Sequence, residues 1–112
     1  MNEFKISGRV NKIDIIYKED GNCYTKVFLS QKVPKTNKYN PFNIVFFNTN
    51  GVAEKIAEEI KQGDYIEAKC FLTPYEYTDK DTGKTRSAIN IIGVDFTKLI
   101  YDNETNKFVK AA

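Results

Sequence analysis

Histidine and tryptophan are absent from this 112-residue chain, and cysteine occurs only twice, at Cys23 and Cys70. Without histidine there is no imidazole ligand and no side chain that ordinarily titrates near neutral pH, and two thiols cannot complete a four-ligand zinc site within one chain. No nucleophile with a matching base and no dense carboxylate cluster stands out. Neither an enzyme nor a bound metal or cofactor is therefore expected. Both cysteines sit in alternating apolar segments, where they read as small buried hydrophobes and not as a disulfide. No apolar run approaches the roughly 18 residues of a spanning helix, so no membrane association is expected. The opening residues Met1-Asn2-Glu3-Phe4 lack a basic region followed by an apolar core, which predicts a cytoplasmic protein.

What is present fits one soluble domain: 41% hydrophobic and 29% charged residues, in a length that supports a single core. The net charge of +2 conceals an asymmetry. Residues 1–50 carry eight Lys or Arg against four Asp or Glu, a balance of +4, whereas residues 51–112 carry nine against eleven, a balance of −2. No acid occurs from Gly21 through Ala53, where Lys26, Lys32, Lys35 and Lys38 all fall. A basic stretch without acids is either an electrostatic footprint for a polyanion or a solvated lysine-bearing loop.

The hydrophobic pattern is mainly that of strands. Phe4, Ile6, Gly8 and Val10 alternate with Lys5, Ser7 and Arg9, and the pattern runs on through Ile13, Ile15 and Tyr17 to the turn residues 18–22. Gly8 falls on the apolar face, where a missing side chain permits close approach of a neighbouring strand. In residues 23–33, Thr25, Val27 and Leu29 share one face and Tyr24, Lys26, Phe28 and Ser30 the other. Two aromatics and a lysine opposite an aliphatic face either combine stacking with charge or cover a sheet edge or subunit interface. Residues 33–41 show no periodicity and predict a loop carrying Lys35, Lys38 and Tyr39. A third strand begins at Phe42. The turn residues 48–51 offer N-capping oxygens for an amphipathic helix built on Val52, Ile56 and Ile60, and Gly63 stands where a left-handed cap would end it.

A fourth strand places Ile66, Ala68, Cys70 and Leu72 inward and continues to Tyr75 and Tyr77, two residues apart and so on one side. Residues 86–96 close the sheet, and residues 101–112 read as a short polar tail behind a domain of residues 1–100. One short helix between the third and fourth strands of a β chain predicts a five-stranded OB-fold Greek-key barrel. Two motifs fail on inspection. Gly83-Lys84-Thr85 lacks the upstream glycine of a phosphate loop, since Thr78 stands there. In Asp79-Lys-Asp81-Thr-Gly83 the glycine comes one place too early for a calcium loop, and position twelve is Asn90. The segment reads as a hairpin turn.

The run Phe42-Asn-Ile-Val-Phe-Phe-Asn48, the helix Val52-Ala-Glu-Lys-Ile-Ala-Glu-Glu-Ile60, the turn Lys61-Gln-Gly-Asp64 and the segment Ile6-Ser-Gly-Arg-Val10 resemble bacterial and phage single-stranded DNA-binding proteins. The resemblance covers residues 3–99, and the richness in Lys, Asn and Ile fits a phage or mobile-element member from an AT-rich genome. It implies sequence-tolerant binding of single-stranded DNA, a role in replication or recombination, and assembly into a homo-oligomer. It assigns a stacking aromatic to Tyr77 in the hairpin after the fourth strand and another to Phe47 at the end of the third. For an aromatic at the start of that strand, Phe42 and Tyr39 both remain candidates. Two departures stand out. With no tryptophan, stacking falls to Tyr and Phe, and the chain ends Asn106-Lys-Phe-Val-Lys-Ala-Ala112 where the family carries an acidic, aromatic-ended tail that recruits replication and repair proteins. The expected interface comprises Tyr24, Lys26, Phe28, Lys32, Lys35, Lys38, Tyr39, Phe47, Tyr75, Tyr77, Lys84 and Arg86. An OB adaptor of a primosome or replisome, or an RNA-binding OB domain, remain as rival readings.

Overall fold

In the computed structural model, which describes residues 2–111, six strands and one helix follow one another along the chain. They are β1 (Phe4–Tyr17), β2 (Cys23–Lys32), β3 (Tyr39–Phe47), a single 3-10 turn (Thr49–Gly51), α1 (Val52–Glu59), β4 (Tyr65–Thr78), β5 (Thr85–Asp102) and β6 (Lys107–Lys110). The strand order is β3-β2-β1-β4-β5-β6, and a parallel pairing of β3 with β5 closes the ring. This is the OB barrel expected from the pattern, with its helix between β3 and β4. No helix among the described residues is long and apolar enough to cross a membrane.

Alternation decides which side chains enter the barrel. Val10, Val27, Leu29, Ile44, Phe46, Ile66, Ala68 and Cys70 are buried in one cluster, to which α1 adds Ile56 and the residue after it, Ile60. Each large aliphatic or aromatic side chain so buried contributes about 1.5–3 kcal/mol. The one buried polar side chain among the described residues, Thr25, donates its hydroxyl to the Ala53 carbonyl at 2.7 Å, tying the first turn of α1 to β2. The N-cap of α1 is Gly51, which has no side chain to offer, so the expected capping oxygen is not at the cap itself; the Asn48 side-chain oxygen, three residues earlier, accepts the Glu54 N–H at 3.3 Å.

Two glycines set how tightly the barrel winds. A Cβ on Gly8 would lie 2.7 Å from the Ser30 carbonyl oxygen, so β1 crosses β2 where only glycine fits. A Cβ on Gly93 would run into the Phe46 ring, directly at the β3–β5 closure. Phe46 also meets Phe96 edge-on, with ring centroids 6.3 Å apart.

Four local expectations need correction. Of the expected polar tail, residues 101–110 are part of the sheet: β5 runs to Asp102, the chain turns through Asn106 at φ +57°, and it returns as β6, while residue 112 lies outside the described residues. Phe108 holds that sixth strand down, its ring 4.3 Å from Tyr65 and 5.3 Å from Tyr101. Tyr39, Asn40 and Pro41 belong to β3, paired with Lys32, Gln31 and Ser30, so the loop is confined to residues 33–38. The helix ends at Glu59 with Ile60 already extended, and Gly63 (φ +95°) serves the following turn, where the Asp64 N–H reaches the Lys61 carbonyl. Leu72 is exposed: its partner Ile91 is the outermost β5 residue paired to β3, and there the β4–β5 pair begins to leave the barrel.

Two measurements check this packing. Gly93→Ala is expected to lower the urea midpoint by an amount equivalent to about 1–3 kcal/mol, and adding Phe46→Leu should restore part of the loss by freeing space at the closure. Burial pushes the Cys70 thiol up from 9.0 to about 11. The folded state therefore keeps a proton that the unfolded chain releases, and stability falls as pH rises from about 9 to about 11. The Cys70→Ala variant should show a shallower fall in stability across that window.

Candidate nucleic-acid interface

Because Cys23, Thr25, Val27 and Leu29 fill the barrel, the alternate residues of β2 must face outward: Tyr24, Lys26, Phe28, Ser30 and Lys32. Their β3 partners are Phe47, Val45, Asn43, Pro41 and Tyr39, and on the β1 side Ile16, Asp14 and Lys12 stand beside Tyr24, Lys26 and Phe28. Six of the expected interface residues from β2 and β3 (Tyr24, Lys26, Phe28, Lys32, Tyr39 and Phe47) thus share one continuous surface. Phe42 pairs with Leu29 on the opposite parity and packs against the core, so the exposed aromatic at the start of β3 is Tyr39.

The rings on this surface are arranged with cations over them. Tyr24 and Phe47 are neighbours, with centroids 6.3 Å apart and planes tilted by 51°. Lys18 and Lys26 bring their ammonium groups to 5.6 and 6.0 Å from the Tyr24 ring, and Lys12 lies 5.9 Å from the Phe28 ring. These are cation–π distances. Lys12 and Lys18 were not among the expected interface residues. Their outward placement depends on the register of β1 against β2, which shifts by a bulge between Val10 and Lys12 and leaves no mark in either strand's own pattern. The acid-free stretch is also less isolated than it looks in one dimension, since Asp14 stands across from Lys26 and pairs with Lys12 at 3.4 Å.

The second contribution comes from the arm formed by the outer parts of β4 and β5, paired from Thr73–Asn90 to Thr78–Thr85. Tyr75 and Tyr77 stand on one side of it, centroids 6.1 Å apart, and both are more than 40% exposed. The arm's turn is held by Gly83 (φ +70°), whose N–H donates to the Asp79 carbonyl, and by the Asp79 carboxylate. That carboxylate accepts the Asp81 N–H at 2.9 Å and Arg86 Nε at 2.8 Å, and these contacts, the backbone one foremost, hold its pKa below the usual carboxylate value. Arg86 is thus engaged with Asp79 at the base of the turn.

The arm and the β2–β3 face meet. Lys26, Phe28 and Tyr75 line a single cleft of about 440 Å³, floored by residues 41–45 of β3 and 89–91 of β5. Tyr77, Lys84 and Arg86 lie outside that cleft, farther along the arm, and Lys35 and Lys38 lie in the loop beyond Lys32 and Tyr39. Around the end of β3, Phe47 lines a second hollow of about 380 Å³ together with Lys55, Val94 and Phe71. Phe71 has the parity opposite to the buried Cys70 on β4 and is half-buried.

No protein-family model matches this chain, and no curated protein sequence does. Solved structures do match in fold. The mitochondrial single-stranded DNA binding protein Rim1 of S. cerevisiae superposes with a TM-score of 0.68 at 18% identity, over 87% of this chain and 93% of that one. The Plasmodium falciparum SSB in its complex with ssDNA superposes with a TM-score of 0.70, also at 18% identity, over 89% of this chain and 96% of that one. At that level of identity the likeness establishes a shared fold: this chain has the OB barrel of those two proteins over nearly its whole length.

Proposed function

We propose that this domain binds single-stranded DNA with little regard to sequence, protecting or organising it during replication or recombination. The observation that carries this reading is the convergence of Lys26 and Phe28 of β2 with Tyr75 of the β4–β5 arm on one open cleft. A flexible single strand presents alternating needs, a flat ring for each base and a cation for each phosphate, and the cleft offers both from two opposed hairpins. Every base has a π-face, so a tyrosine or phenylalanine platform accepts any of them, at about 1–3 kcal/mol per stacked base. Lys26, Lys32, Lys35, Lys38 and Lys84 make no ion pair among the described residues, which leaves their charge available to displace counterions from a phosphate backbone. Tyr24, Phe47, Tyr39 and Tyr77 extend the ring surface to either side of the cleft, and Arg86 stiffens the arm that carries Tyr75 and Tyr77. The shared fold with two proteins named for single-stranded DNA binding, one of them seen with ssDNA, supports the same reading.

With no tryptophan, the intrinsic fluorescence of the chain comes from its seven tyrosines, and stacking should quench it. Titration with oligo-dT is expected to quench tyrosine emission at low salt, whereas a duplex of equal length should quench it weakly. Tyr77→Ala and Phe28→Ala should each weaken oligo-dT binding about tenfold while leaving the thermal midpoint nearly unchanged for Tyr77, which touches no core residue. Lys26→Ala should reduce the slope of log affinity against log salt by about one. Equal affinity for single and double strands, or no response to Phe28→Ala and Tyr77→Ala alike, would sink the proposal. An RNA oligomer that outcompetes oligo-dT would redirect it to RNA.

A further inference from the structure

The outward face of β2 does not stop at the barrel's edge. Ser30 belongs to the same face as Tyr24, Lys26 and Phe28, and it pairs with Arg9 of β1. Arg9 in turn pairs with Tyr65 of β4, and Tyr65 with Leu99 of β5. Ser30, Arg9, Tyr65 and Leu99 therefore form one row across four strands, which carries the surface round a corner onto the β1–β4–β5–β6 side. There the Tyr65, Phe108 and Tyr101 rings form a cluster in which each ring remains more than one-third exposed.

A hollow of about 280 Å³ opens at that corner, with Arg9, Lys32, Gln31, Tyr39, Tyr65 and Phe108 around it and no Asp or Glu in its lining. Arg9 and Lys32 take part in none of the ion pairs among the described residues. Farther along the same sheet surface the charges are neutralised: Lys5 pairs with Glu67 at 3.6 Å and Lys69 with Glu3 at 3.5 Å. Unpaired cations beside exposed rings thus occur next to the β2–β3 face and give way to closed ion pairs beyond it. A symmetric contact of this patch with a second copy would bring Arg9 and Lys32 of both chains together without a counter-charge.

We propose that this corner is a second single-strand contact, at which Tyr39, Tyr65 and Phe108 receive bases and Arg9 and Lys32 receive phosphates. A bound strand then continues from the arm cleft, past Lys32, onto the β1–β4–β5–β6 side. The inference rests on the single-strand reading of the cleft and adds a route and an anchor to it.

The experiment compares a short oligo-dT of about 6 nucleotides, enough for the cleft, with one of about 16, enough to turn the corner. Wild type should gain affinity with length. Arg9→Ala and Phe108→Ala, singly and together, should leave the short oligomer's affinity within about twofold and weaken the long one about tenfold for the pair. Arg9→Ala alone should remove about one unit of salt slope from the long oligomer only. Arg9 is exposed and makes no ion pair, so its variant reads the contact even if Phe108→Ala loosens β6. Equal affinity of wild type and Arg9→Ala for the long oligomer would overturn the proposal. So would sedimentation showing that wild type self-associates, that Phe108→Ala dissociates it, and that long-oligomer binding is unmoved, since the patch would then be an interface between copies. If wild type fails to bind even the long oligomer at low salt, it is the single-strand reading of the cleft that falls, a different result from loss of length dependence alone.

Discussion

Only three residue pairs, Ile44–Ile91, Val45–Ile92 and Phe46–Gly93, close the barrel between β3 and β5, and the rest of the molecule is arranged around them. The contact is parallel and short, so its strength comes from packing: the Phe46 ring occupies the space that any side chain at position 93 would need. Closure at this point has a geometric result. It fixes β5 against the edge of β3, so that the part of β5 preceding the contact, with its β4 partner, projects as an arm beside the β2–β3 face. The cleft between Phe28 and Tyr75 lies where the arm leaves the barrel beside β2 and β3.

The barrel was legible in the sequence because β2, the end of β3 and the first half of β4 alternate over one buried face. The β2 run needed no partner to show that Thr25, Val27 and Leu29 go in and that Tyr24, Lys26 and Phe28 go out. What stayed hidden depends on contacts between distant segments. The four residues of β6 are too few for a period, and they are held by Tyr65, some forty positions earlier. The need for glycine at position 93 arises from a ring at position 46. Lys12 and Lys18 join the rings of β2 only through a register that includes a bulge, and Asp14 enters the basic face by the same route. Leu72 kept the inward parity of its strand but not a core to enter, since parity says which side a residue faces and not whether anything covers it.

The lysines over Tyr24 and Phe28 bear on how a strand would be received. In the free domain, the faces of these rings are shared with the ammonium groups of the exposed Lys12, Lys18 and Lys26. On the single-strand reading, a base that stacks on Tyr24 takes the place of a cation that then turns to the adjoining phosphate. The exchange keeps each ring face occupied and each charge compensated, so neither the free nor the bound surface leaves an aromatic face without a partner.

The eighteen residues of β5 carry the arm's inner edge, the closure at Gly93 and the platform for β6 on one uninterrupted strand. Side chains alternate along a strand with a period of two, and β5 already takes up one extra residue at Val94, where Lys69 faces Asp95 and Cys70 faces Gly93, so a further insertion or deletion reverses the facing downstream unless a second bulge absorbs it. A one-residue change before Ile91 would break the match of Gly93 to Phe46, and one after Phe96 would turn Tyr101 away from Phe108. An added residue is therefore least disruptive in the turns at residues 79–84 and 103–106, where the barrel's shape imposes no parity.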